Sequence, residues 1–381
     1  MGNTLTNLIP TIMAGLDKVS RELTGFIPAV SFYPGADGVA KDQTIRWPIA
    51  PVSSAGDITP AATGPAIGDQ TIGSDTMTIS KSRSVKFSWN GEEQVSVRDS
   101  YNTILAGQFA QGMRTLVNEV ETDLAALHLG ASRAYGSAAA TPFASTLGEA
   151  AQARKILADN GAPMSDLQMV IDTAAGASLR TLAQLSKANE AGGDDLLRRG
   201  VLLDIHGFAI RESAAVASHT AGTAASATTD NAGYAVGATV LTLASAGTGT
   251  ILAGDVITFA GDTNKYVVVS GDADVSGGGT ITLAAPGLRV AMSAATKAIT
   301  MVATSRRNMM FDRSALWLAT RTPLMPEGGD SAADVTVVTD PQSGLSFQVA
   351  MYKQYRTQTY EVGLAWGVKN SKTAHTGILL G

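Results

Sequence analysis

Residues 108–127 read QFAQGMRTLVNEVETDLAAL, a stretch whose apolar side chains keep to one side of a helix. Phe109, Met113, Leu116, Val117, Val120, Leu124 and Leu127 hold that face for many turns. Ser96 and Asp99 form an S-x-x-D start signal upstream. The spacing predicts a helix from about Asp99 to Ser132, roughly 50 Å long at about 1.5 Å per residue. That is longer than the usual globular helix. Charges do not flank the stripe in a sustained heptad, so a coiled coil is the weaker reading.

On the N-terminal side the pattern changes to period two. Ile45, Trp47 and Ile49 alternate with Thr44, Arg46 and Pro48, and Val85, Phe87 and Trp89 alternate with Ser84, Lys86 and Ser88. Between these runs, residues 51–74 are rich in Pro, Gly and Thr and carry no helical period. The expectation is a long β-ribbon with a loose tip. A lone two-stranded ribbon is marginal in water, which points to a partner on another subunit. Further upstream, Ile12, Leu16, Val19 and Leu23 line one face of a short helix, with Pro10 near its start and Gly25 just past its end. Phe26-Ile27-Pro28-Ala29-Val30 then runs on as an apolar, non-helical arm that needs the rest of the fold, or a neighbour, to bury it.

On the C-terminal side, residues 145–160 predict a helix stopped by Gly161 and Pro163. A short strand at 168–172, a helix at 174–185 and a strand at 208–211 follow, with no β-α-β repeat. From about His219 to Ala303 the composition shifts: the segment holds 12 Gly and only eight charged residues, and no helical period. Six short β patterns, around Leu241, Ile257, Val267, Ile281, Val290 and Ile299, are separated by turns such as Ala253-Gly254-Asp255 and Gly277-Gly278-Gly279. They read as a small antiparallel barrel or sandwich inserted in the chain, reached through a low-complexity linker at 220–233. Two alternating runs close the sequence. Leu345, Phe347, Val349 and Met351 follow a turn at Asp340-Pro341 and Ser343-Gly344, and Tyr360, Val362, Leu364 and Trp366 predict a half-buried strand.

Composition narrows the function classes. With 381 residues, 45% of them apolar, the chain can bury two or three packed units. Charged residues reach only 16%, below the roughly 25% usual for soluble domains, so much of the surface is expected to meet protein. Lys plus Arg is 28 against 33 Asp plus Glu, a net −5, which argues against the concentrated basic face of a tight nucleic-acid binder. The absence of cysteine excludes disulfides, thiolate metal sites and a cysteine nucleophile. No run of eighteen apolar residues and no export signal occurs, so no membrane partner and a cytoplasmic location are expected.

Motifs for chemistry are incomplete. His128, His206, His219 and His375 are scattered and read as packing or surface residues. Asp272 to Gly277 imitates the first half of a calcium loop, but its twelfth position is Leu283 instead of a bidentate Glu. Gly247-Thr248-Gly249 opens no helix and lacks the third glycine of a phosphate cradle. Glu92 and Glu93 read as solvated charges near the ribbon base, and Trp47, Trp89, Trp317 and Trp366 as core residues. No catalytic, cofactor-binding or metal-ligating residue is assigned, and no cofactor is expected.

The order of elements resembles a known family. An N-terminal arm, an extended ribbon, a long helix, a mixed α/β region and a terminal β-meander make up the coat-protein fold of tailed phages, encapsulins and the herpesvirus capsid floor, the Hong Kong phage type. Residues 3–30 (NTLTNLIP through SRELTGFIPAV), 68–94 (GDQTIGSDTMTISKSRSVKFSWNGEEQ), 108–127, 200–213 (GVLLDIHGFAIRES) and 308–323 (NMMFDRSALWLATRTP) look like the P-twenty-two-type branch. That branch carries a β-rich domain at the position of residues 219–303.

The resemblance implies an α+β fold divided into an arm at 1–41, an extended loop at 42–90 and a peripheral domain with its spine helix at 91–142. An axial domain at 143–217 and 304–330, an inserted β domain at 218–303 and a peripheral β return at 331–381 complete it. It implies a major capsid protein assembling as hexamers and pentamers into an icosahedral head around double-stranded DNA, in the host bacterial cytoplasm. A scaffolding protein, a portal, weak non-specific contact with packaged DNA and room for a decoration protein come with it. Phe26, Arg46, Lys81, Arg83 and Lys86 are the candidates for contact between subunits. Competing classes are an encapsulin-type compartment, disfavoured by the inserted domain; a surface adhesin, disfavoured by the long helix; and an enzyme, disfavoured by the absence of a catalytic constellation.

Overall fold

The computed structural model describes residues 21–381 except 34–39, 52, 54, 56, 58–70, 98–99, 183–184 and 186–204. The expected first helix, apart from Leu23, and the expected loose ribbon tip, apart from a few residues at its two ends, lie outside the described residues. The described chain begins with a strap, residues 21–33, that contains one 3-10 turn at Ile27–Ala29 and strand β1 (Ser31–Phe32). Strands β2 (Thr44–Ile49) and β3 (Gly73–Thr78) form a separate two-stranded antiparallel ribbon. Then come β4 (Lys81–Asn90), α1 (Gly91–Val97), α2 (Tyr101–Ala125) and β5 (Arg133–Gly136). Helix α3 (Gly148–Asp159), β6 (Leu167–Ile171), α4 (Thr173–Thr181), β7 (Phe208–Glu212) and β8 (Ser218–His219) follow.

The β-rich segment contributes β9 (Val240–Leu243), β10 (Val256–Phe259), β11 (Lys265–Ser270), β12 (Gly279–Leu283) and β13 (Ile299–Met301). The chain ends with β14 (Ser305–Asp312), β15 (Leu316–Arg321), β16 (Ala332–Thr339), β17 (Ser346–Gln354), β18 (Thr357–Asn370) and β19 (Thr376–Leu380). This is an α+β protein built on two mixed sheets. A six-stranded sheet runs β1-β15-β18-β17-β16, with β4 also on β18. An eleven-stranded sheet runs β13-β10-β11-β5-β19-β14-β6-β7, with β8, β9 and β12 off that path.

The long helix lies on the six-stranded sheet, and the apolar stripe explains how. Met113, Leu116, Val117, Val120 and Leu124 are buried with Val362, Leu364 and Trp366 of β18 in one cluster. Gly112 lets the helix come close, since a Cβ there would already touch Val85 and Val362 at 3.6 Å. Phe109 meets the rings of Phe87 and Tyr360 edge-on, with centroids 5.0 and 5.4 Å apart. The helix is shorter than its apolar pattern: after Ala125 the chain tightens into a 3-10 turn, Ala126–Gly130. Its start also differs from the S-x-x-D reading, because Ser96 belongs to the separate helix α1. That helix is opened by a reciprocal cap in which Asn90 and Glu93 exchange backbone-to-side-chain bonds of 2.8 and 3.0 Å. Glu93 is therefore buried, not solvated.

Strand β18 is covered on both faces, which corrects the half-buried expectation. Its even-numbered apolar residues meet α2, and Ala365 packs with Met77, Ile79 and Ala319 on the opposite side. Gly367 permits this second layer: a Cβ there would stand 2.2 Å from the Thr78 carbonyl oxygen. Ala365 and Gly367, small residues between the apolar ones, are the floor for the ribbon base.

Residues 219–303 leave and rejoin the core at adjacent points, since His219 of β8 pairs with Ser305 of β14. Five of the six expected β patterns are strands. Val290 is not; it lies in a bend and is exposed. Residues 220–233 are no linker either, because Ala225, Thr228 and Thr229 bridge to Thr248, Ala298 and Leu243. Small residues let that segment sit backbone-to-backbone on the unit. The unit has its own core, including Leu241, Ile257, Tyr266, Val268 and Ile281, yet β11 also pairs with β5, so its sheet is continuous with the main one.

Candidate assembly surfaces

The ribbon has little core of its own. In its register Thr44 opposes Thr78 and Ile49 opposes Gly73. Its base is anchored: Met77 is buried, Trp47 stacks on Trp317 with centroids 5.6 Å apart, and Asp75 accepts from Lys369 and Ser371. Burial raises the Asp75 carboxyl, but the Lys369 and Ser371 bonds outweigh it and hold the group below its usual range. Toward the tip the covering ends. Ile49 is 46% and Ile72 69% exposed, and Arg46 is exposed on β2 with no ion pair among the described residues.

Lys81, Arg83 and Lys86 are not on the ribbon. Their alternating run is β4, the strand that pairs with β18 through ten register positions from Thr357↔Asn90 to Trp366↔Lys81. All three meet carboxylates of their own chain: Lys81 with Asp123 at 2.7 Å, Arg83 with Glu119 at 3.1 Å and Lys86 with Glu361 at 3.4 Å. Within the subunit the cations tie β4 to α2 and to β18. Because Arg83 is 57% exposed, Arg83→Ala is expected to lower stability by less than about 1 kcal/mol, a small shift in a urea titration.

Phe26 is likewise not available to a neighbour. It is fully buried in the main core beneath α2, so this side chain is covered by its own chain. The strap is held by a carboxylate. Glu121 of α2 accepts from the backbone N–H of Gly25, Phe26 and Ile27 at 3.3, 3.1 and 2.8 Å, and from the Ser213 hydroxyl at 2.8 Å. Burial pushes this carboxyl above its usual range in spite of those donors. Around the clamp, Arg21 reaches Asp340 at 2.7 Å, and Arg313 donates to the Pro28 carbonyl at 2.8 Å. Glu22 is gripped by Arg114 and Asn118, and the guanidinium holds its carboxyl down at about 2.

No group of three or more His, Asp or Glu among the described residues is placed to hold a metal ion. A cleft of about 530 Å³ between β5, α3 and the start of β11 is lined by Arg133, Glu149, Lys155, Asp159 and Lys265. Its buried guanidinium already donates to Asn264, the Ile156 carbonyl and Asp159. The calcium-like segment is a turn in which Asp272 accepts from the Asp274 N–H, and Asp274 from Ser276. No described helix is long and apolar enough to cross a membrane.

No protein-family model and no curated protein matches the sequence. Solved structures do match, over nearly the whole chain. A structure from Mycobacterium phage Che8 is 13% identical, with 99% of this chain and 98% of that one covered and a TM-score of 0.51. The capsid structure of the cyanophage P-SCSP1u is 12% identical over 100% of this chain and 95% of that one, also at 0.51. The asymmetric unit of the mature capsid of bacteriophage PhiM1 gives 11%, 96%, 89% and 0.50. The chain has the phage capsid fold. Coverage this complete leaves no large region of the chain unmatched.

Proposed function

We propose that this chain is the major capsid protein of a tailed phage, a structural subunit that assembles as hexamers and pentamers into an icosahedral head enclosing double-stranded DNA. The observation that carries this is the capsid fold over 96–100% of the chain, joined to a ribbon whose outer isoleucines, Ile49 and Ile72, are 46% and 69% exposed. On this reading residues 143–217 and 304–330 gather at the centres of the hexamers and pentamers, while α2 and residues 331–381 form the periphery. The inserted β unit between β8 and β14 supports the P-twenty-two-type branch. A scaffolding protein, a portal and weak contact with DNA belong to the same proposal, the last compatible with a net charge of −5.

The test is expression with the neighbouring phage assembly genes, followed by light scattering and negative-stain microscopy. Closed shells of one or two discrete diameters are expected. A species that stays at 39.1 kDa, with or without scaffolding protein, overturns the proposal.

A further inference from the structure

The junction between the C-terminal end of α2 and the inserted unit holds four polar side chains that the capsid reading leaves unexplained. His128, in the 3-10 turn after α2, is 5% exposed. Its Nδ1–H donates to the Ala125 carbonyl at 2.9 Å, and its Nε2 is buried without a partner among the described residues. The His219 ring lies against it edge-on, with centroids 5.8 Å apart. His219 donates in turn from Nε2 to the fully buried Asp255 at 2.9 Å. That carboxylate is already saturated by the N–H groups of Gly222 and Leu252. Arg307 of β14 is 1% exposed, with Nη1 on Ser305 and with Nε and Nη2 unpartnered.

The packing leaves no slack. A Cβ at Gly254 would stand 2.4 Å from Leu129 and 2.9 Å from the His219 ring. The link itself is short: β11 and β5 are paired only at Lys265↔Ala134 and Tyr266↔Arg133, behind which Ala131, Val256, Val267 and Ile378 are packed.

We propose that this junction is an acid-opened joint, in which a proton taken up by His128 parts β11 from β5 while the inserted unit and the core each stay folded. A second proton on the imidazole would give Nε2 a new N–H where, among the described residues, no partner stands within hydrogen-bond reach. It would also add positive charge beside Arg307 and His219. Among the described residues, no other ionisable group offsets this. Strand β19 carries none; Lys265 and Tyr266 of β11 are bonded to the Gly136 carbonyl and to Asp262; Lys369 of β18 is bonded to Asp75. On α2, Glu121 serves the strap and Asp123 serves Lys81 and Trp366. Asp255 faces His219 and has no further capacity.

Burial, together with His219 and Arg307, depresses the His128 imidazole from 6.5 to about 4. The sign follows. A histidine whose closed-state value is lowered binds its proton better in the open state. The joint is therefore fully stable above about 6.5 and weakens as pH falls toward about 4. Between pH 8 and pH 5 the opening equilibrium rises about 30-fold.

The test is amide hydrogen exchange on the full chain from pH 8 to pH 5, corrected for intrinsic rates and read on peptides from β5 and β11. Protection there is expected to fall about 30-fold, while peptides from β17 and β18 and from the strap, whose Glu22 tether titrates near 2, keep theirs. His128→Asn, which retains a donor for the Ala125 carbonyl, is expected to abolish the dependence. His219→Gln, which retains a donor for Asp255, should leave His128 in place and preserve most of it. An unchanged pH dependence in His128→Asn, no dependence in the wild type, or a loss shared equally by all peptides overturns the proposal.

Discussion

Glu121→Ala is expected to lower the stability of the folded subunit by about 3 kcal/mol or more, because each buried donor left without a partner costs about 1–3 kcal/mol. Three backbone N–H groups and the Ser213 hydroxyl converge on this one carboxylate. The backbone donors belong to the turn that seats Phe26, so they cannot turn to solvent without lifting that ring out of the core. Glu121→Gln is a weaker repair than its shape suggests. One amide oxygen replaces two carboxylate oxygens, and the new NH2 group faces a backbone N–H. A typical domain has only about 5–15 kcal/mol in hand, so the loss is large. It is measured by urea unfolding and by trypsin cleavage after Arg21, which should become fast in the variant while sites in the sheets stay protected. A variant within about 1 kcal/mol of the wild type, with its strap still resistant, would show that the clamp is dispensable.

The clamp was within reach of the sequence, and so was the joint. Glu121 lies four residues after Val117 and three before Leu124, on the stripe that defines α2, and His128 continues the same stripe. A carboxylate on an apolar stripe must find donors when it is buried, but which donors depends on chain segments about a hundred residues away. The same limit explains the ribbon. The run of Val85, Phe87 and Trp89 has a strand's period, and period alone does not choose between a projecting ribbon and a sheet. The helix, the late strands and five of the six β patterns within residues 219–303 were legible because each depends on local pattern or composition. The pairing of 220–233 was not, since Ala, Ser, Thr and Gly give the same signal in a linker and in a close-packed edge.

The ribbon's outer end should decide assembly. Replacing Ile49 and Ile72 together by Asp is expected to leave the subunit's stability within about 0.5 kcal/mol of wild type, as for other exposed positions. Both side chains lie beyond the anchored base, at 46% and 69% exposure, and neither belongs to a core cluster. In a shell the case differs. Fully burying an isoleucine is worth about 1.5–3 kcal/mol, and a carboxylate forced into the same contact must be desolvated or neutralised. Each subunit repeats the contact, so shell yield should fall at least tenfold, the equivalent of about 1.4 kcal/mol per contact. The prediction rests on the capsid reading, and the wild type assembled in parallel separates the two. Wild-type shells with variant shells in equal yield would remove the ribbon's outer end from assembly. A variant that melts early would make Ile49 and Ile72 fold residues.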